Sequence, residues 1–165
     1  MPVGTLKEAK DFAQKWMIDM GYFGREVDPC PDGFHFMLEG TEPNQIPFLI
    51  IQSKESEGFF IVLATVRVTD SSFNSLNALS KEDRDEFLWN LQKDLLSLPP
   101  TLSFDPTFNE TGVPKGVQFS QEIYFEDLTR GMLSESVKNT TKCALWTVLS
   151  FRRKFGDNQE AEHAE

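Results

Sequence analysis

The chain has 165 residues, 39% of them hydrophobic, with fifteen Phe, three Trp and a formal net charge of −10. That length suits one domain of ordinary size whose core needs no disulfide or metal, and the apolar content excludes a disordered chain. The acidic surplus argues against a general nucleic-acid binder, which needs Lys and Arg for phosphates, and equally against an anionic membrane surface as partner.

The start, Met1-Pro2-Val3-Gly4-Thr5-Leu6-Lys7-Glu8, lacks a charged stretch leading into an apolar one, so no signal peptide is expected. No run approaches the ~18 apolar residues of a membrane span. The expected location is cytoplasmic. Asn109-Glu110-Thr111 and Asn139-Thr140-Thr141 then match the glycosylation acceptor pattern only by chance. Cys30 and Cys143 lie far apart and fit no zinc or CxxC spacing. Idle thiols in a reducing cell are the simpler reading, a disulfide between them the other.

The first element is a helix. Leu6, Ala9, Phe12, Ala13, Trp16, Met17 and Met20 recur at three- and four-residue steps and make one apolar stripe. Thr5 and Glu8 form a capping box, and Gly21 is a natural stop. Such a stripe is core far more often than a ligand pocket.

Val27 to Gly33 holds two prolines and a final Asp-Gly, so it reads as a loop and turn. Cys30 sits between the prolines with no Lys, Arg or His beside it to hold a thiolate. Phe34 to Glu39 reads as a first strand, with His35 turned away from the apolar face. His163 is the only other histidine, so no His cluster for a metal arises.

Phe48-Leu49-Ile50-Ile51 and Phe59-Phe60-Ile61-Val62-Leu63-Ala64-Thr65-Val66-Arg67-Val68 flank a polar break and read as a β-hairpin. Alternation puts Phe60, Val62, Ala64, Val66 and Val68 on one face of the second run. Phe59, Ile61 and Leu63 line the other before it turns polar at Thr65 and Arg67. This strand wants cover on both sides for most of its length.

Phe73 to Leu79 is a loop or weak helical lead-in. A second helix follows, capped by Ser80 with Asp83, apolar along Phe87, Leu88, Leu91, Leu95 and Leu98, and stopped by Pro99-Pro100. The carboxylates from Glu82 to Glu86 are explained by the helix start rather than by an acid/base pair. A short strand is expected from Thr101 to Phe108, and Gly112, Pro114 and Gly116 mark a turn that fits no phosphate loop. Val117, Phe119, Ile123 and Phe125 then alternate with Gln118, Ser120 and Glu122, giving a strand with one buried and one wet face.

The last element is a long helix, Thr129 to Phe155, with Met132, Leu133, Val137, Ala144, Leu145, Val148, Leu149 and Phe151 at helical spacing. Arg152, Arg153 and Lys154 complement its negative end, and a small anion or partner site is their other use. Residues 157–165 carry four carboxylates and no apolar pattern, so a disordered acidic tail is expected after a single domain over residues 1–156.

The sum is an α+β chain with an antiparallel, twisted sheet of about five strands and three helices in the order αβββαββα. This order, from roughly Thr5 to Phe155, resembles the type III secretion chaperone-like fold shared by secretion chaperones and the YbjN-like proteins. The resemblance is one of topology, and no short motif carries family residues across. It implies the first and last helices on one sheet face and frequent dimerisation. In the secretion branch it also implies binding of a partner's extended segment along apolar patches.

With both those helices on the face of Phe60 and Val62, the opposite face holds Phe59, Ile61 and Leu63 with one parity of the preceding strand, Leu49/Ile51 or Phe48/Ile50. Leaving three such side chains in water forgoes roughly 1.5–3 kcal/mol each. The expected binding surface is therefore Phe59, Ile61, Leu63, Leu49 and Ile51, covered by a protein partner or a second copy. No residue pattern rises to a catalytic signature, and no cofactor or metal is called for. The leading function is a non-catalytic, chaperone-like or adaptor-like binding module. The alternatives are a small-molecule binder or enzyme, with a pocket between the sheet and the C-terminal helix, and a structural subunit of an assembly.

Overall fold

The first helix forms where its stripe and caps place it. In the computed structural model, which describes residues 4–105 and 113–156, α1 spans Leu6–Met20. The Thr5 hydroxyl accepts from the Glu8 amide at 3.2 Å, while the Glu8 carboxylate accepts from the amides of Thr5 at 3.0 Å and Gly4 at 3.2 Å. Hydrogen bonding to the carboxylate, from the Thr5 side chain foremost and then from the amides of Gly4 and Thr5, holds the Glu8 carboxyl below its usual range. Gly21 ends the helix at φ 72°, a left-handed conformation that glycine takes without a Cβ clash.

Four strands follow: β1 Phe23–Glu26, β2 Phe34–Thr41, β3 Pro47–Ser53 and β4 Phe59–Arg67. Then come α2 Asp70–Ala78 and α3 Lys81–Leu95, strands β5 Thr101–Asp105 and β6 Gly116–Tyr124, a short 3-10 turn at Phe125–Asp127, and α4 Arg130–Phe155. The strands make one antiparallel sheet in the order β1-β2-β3-β4-β6-β5. The α+β architecture is as the sequence predicts, with six strands and four helices among the described residues rather than about five and three.

The two added elements have weak signals of their own. β1 is four residues long, contains Gly24 and has no apolar alternation; it exists by pairing with β2, Phe23 with Gly40 and Glu26 with Leu38. α2 is capped by Thr69, whose hydroxyl accepts from the Ser72 amide at 3.2 Å, and buries only Ser72 and Leu76. Its Ser- and Asn-rich sequence has low helical propensity, so packing rather than composition makes it a helix. The strand expected from Val117 to Phe125 ends one residue early: Phe125 opens the 3-10 turn and stays buried. The proposed extension of β5 to Phe108 and the acidic tail at 157–165 lie outside the described residues.

The chain divides into two compact units, Met1–Ala64 with Ser120–Thr141, and Thr65–Phe119 with Lys142–Glu165. The first unit has a core in which Ala9, Ala13, Trp16 and Met17 of α1 and Leu133 and Val137 of α4 meet one face of the sheet. That face supplies Phe36, Leu38, Phe48, Ile50, Phe60, Val62 and Ile123. Gly40 allows this closeness: a Cβ there would lie 2.5 Å from Met17 and 2.9 Å from the Tyr22 carbonyl oxygen. The second unit buries Leu76 of α2, Leu88, Leu91 and Leu95 of α3, Val117 and Phe119 of β6, and Ala144, Val148 and Phe151 of α4. There the Phe87 ring stands edge-on to Phe151 at 5.2 Å and to Phe155 at 5.6 Å. Met132 and Leu149, counted in the helical stripe, lie off the buried face of α4 and are exposed.

Candidate functional site

The register of β3 against β4 decides which side chains share a face. Leu49 pairs with Leu63, Ile50 with Val62 and Ile51 with Ile61. Paired residues on neighbouring strands point to the same side. Leu49, Ile51, Ile61 and Leu63 therefore stand together, with Phe59 two residues further along β4. Phe48 and Ile50 belong to the opposite, helix-covered face.

The two faces of β4 differ in burial. Phe60 and Val62 are 0% exposed, whereas Phe59, Ile61 and Leu63 are half-buried. The first row is sealed by α1 and α4 in the core just described. Residues of the second row keep some area open to solvent. Leu49 is half-buried in the same way, while Ile51, central between two strands, is buried. The Phe59 ring is tilted against Tyr124 at 5.3 Å, and Tyr124 is itself exposed.

Pairing carries the face onto β2, where Met37 lies opposite Ile51 and Glu39 opposite Leu49. Glu39 accepts from the Arg25 guanidinium at 2.5 and 3.1 Å. Beyond Phe59, the Tyr124 hydroxyl donates to Glu122 at 3.5 Å. The surface thus has an apolar middle and a polar margin.

A buried polar cluster was not foreseen. Glu42 follows β2 and is buried, yet it accepts from the Thr141 hydroxyl of α4 and, at 3.5 Å, from the Asn44 amide. Burial, and next the Glu42 charge, raise the Tyr22 phenol above its usual range. Glu42 is one of 26 acidic residues and has no local sequence signal. Only its tertiary partner marks it.

A groove of about 510 Å³ lies between α3 and the second half of α4, not between the sheet and α4 where the alternative reading expects a pocket. Phe87 and Leu91 lie at its apolar base, and Trp146 and Leu149 form an exposed lip. Of the other candidates, Cys30 is half-buried and Cys143 buried, both free. Burial pushes the Cys143 thiol up to about 11. His35 is exposed. Among the described residues no group of three or more His, Cys, Asp or Glu could hold a metal ion, and no helix is long and apolar enough to cross a membrane.

Residues 9–151 match a family of uncharacterised conserved proteins, DUF2299. The chain belongs to this family. A crystal structure of an uncharacterised protein from Methanothermobacter thermautotrophicus shares the fold, with a TM-score of 0.80 at 22% identity over 90% of this chain and 99% of that one. The crystal structure of YbjN from E. coli is similar in topology, with a TM-score of 0.48 at 12% identity over 93% of this chain and 96% of the other. No curated protein matches the chain.

Proposed function

We propose that this DUF2299 protein is a cytoplasmic, non-catalytic binding module that docks a partner protein on the sheet face of Phe59, Ile61, Leu63, Leu49 and Ile51. One observation carries the reading: neighbouring strands place these side chains in one row in which Phe59, Ile61, Leu63 and Leu49 stay half-buried around a buried Ile51, while the row behind it is sealed to 0–2%. Covering an apolar row of this kind is favourable at roughly 25 cal/mol per Å² removed from water. The margin of Arg25, Glu39 and Glu122 supplies the polar rim. The partner is a different chain rather than a second copy, because a net charge of −10 on each protomer opposes self-association.

The test uses the full chain as bait in native lysate, beside Ile61→Glu and the surface control Lys54→Glu. The expected result is one protein recovered in near-stoichiometric amount by wild type and the control and lost from Ile61→Glu, whose circular dichroism stays native. Identical recovery by all three baits overturns the proposal. Light scattering is run in parallel: a doubled mass that Ile61→Glu halves reassigns the face to a second copy.

A further inference from the structure

The groove between α3 and α4 has a division of charge that the sheet face does not account for. Its α3 wall carries Asp83, Glu86 and Asp94 and no cation. The α4 wall carries Arg153 and Lys154 and no anion. Among the described residues no ion pair joins the two walls. Opposite charges thus line a common cleft that also contains Phe87, Leu91, Trp146 and Leu149. Trp146 and Leu149, which edge that cleft, are 41% and 44% exposed, so apolar area of both is open to it.

Capping alone explains some of these residues. Ser80 accepts from the Asp83 amide at 3.0 Å and donates to its carboxylate at 2.8 Å, and Arg153 and Lys154 complement the end of α4. Capping does not require Asp94, Trp146 or Leu149 to share a cleft with them.

We infer that this groove receives an amphipathic helix of a partner protein, about three turns long, with a cationic flank along α3 and an anionic flank along the end of α4. The length follows from the lining. Asp83 to Asp94 and Trp146 to Lys154 correspond to roughly 16 and 12 Å of helix at 1.5 Å per residue. Apolar anchors spaced at three, four and seven residues meet a strip of that length. The cleft is open along its lip, which suits a helix laid into it better than a small molecule, whose sites enclose most of the ligand surface. A partner with both charges satisfies both walls; a uniformly charged one is repelled by one of them. The inference is independent of the sheet face.

Three 14-residue peptides with the same Leu anchors test it by calorimetry: one with a Lys flank and a Glu flank, one all-Lys, one all-Glu. Wild type is expected to bind the mixed peptide about tenfold more tightly than either uniform one, a preference that weakens at high salt. Arg153→Glu/Lys154→Glu makes both walls acidic, and the all-Lys peptide then becomes the tightest. Leu149→Asp, at an exposed site and checked for native circular dichroism, abolishes binding of the mixed peptide. Equal binding of the three peptides, no measurable binding, or an unchanged order in the charge variant overturns the inference. So does a doubled mass of the unliganded chain that Leu149→Asp returns to a single one, since the occupant is then a second copy.

Discussion

Thr141 of α4 donates its hydroxyl to the buried carboxylate of Glu42, 99 residues earlier in the chain. The same hydroxyl lies 2.9 Å from the Val137 carbonyl, and it has one proton for both. Thr141→Val keeps the shape and removes that proton, leaving Glu42 with the long Asn44 contact. The expected loss is about 1–3 kcal/mol, the cost of an under-satisfied buried acceptor. It is read as a lower urea midpoint at constant slope, with Thr141→Ser close to wild type. A midpoint unmoved by Thr141→Val removes the tie between Glu42 and α4.

The two faces of β4 are expected to answer differently to truncation. Phe60→Ala empties a fully sealed site and should cost about 3–5 kcal/mol. Phe59→Ala removes a half-open ring whose neighbours can close over the space, and should cost less than half as much. Chemical denaturation of the two variants decides this, and equal losses show that the second face is as tightly covered as the first.

Gly40 is predicted to be intolerant of any side chain. The added methyl of Gly40→Ala would press on Met17, Phe48 and the Tyr22 carbonyl oxygen, and the last is backbone and cannot rotate away. About 1–3 kcal/mol of overpacking is expected, read as a lower urea midpoint. Met17→Ala in the same chain should recover only part of it, because the backbone contact remains.

The Cys143 thiol should resist iodoacetamide at pH 8 in the folded chain and react on unfolding, whereas Cys30 reacts in both states. Burial favours the neutral thiol and raises its titration to about 11. The sign follows from that direction. The folded state holds this proton longer than the unfolded one. Its contribution is complete below the ordinary thiol range and is lost as the pH rises from there through about 11. Cys143→Ala should flatten that alkaline decline, and a curve with the same alkaline slope counts against this assignment.

Much of the fold was legible because its signals are local. Thr5, Glu8 and Gly21 mark both ends of α1, and Ser80 marks the start of α3. The alternation from Phe59 to Val66 is reproduced side chain by side chain in the burial of β4. β1 was not legible, and α2 showed only as a loop or weak helical lead-in at Phe73 to Leu79, because each is made by what it packs against: β2 lends β1 its hydrogen-bonding edge, and Leu76 anchors a helix of poor propensity.

By itself the sequence determined the types of the strongly patterned elements, the capped ends of α1 and α3 and the fact that β4 is apolar on both faces, since these depend on neighbours a few residues apart. Only the tertiary structure decided that Leu49 and Ile51, not Phe48 and Ile50, stand with Ile61 and Leu63. A strand's parity relative to its neighbour is fixed by register, and a shift of one residue exchanges the faces. The Glu42–Thr141 contact and the two-signed groove between α3 and α4 belong to the same class, because they join residues whose separation in the chain carries no pattern.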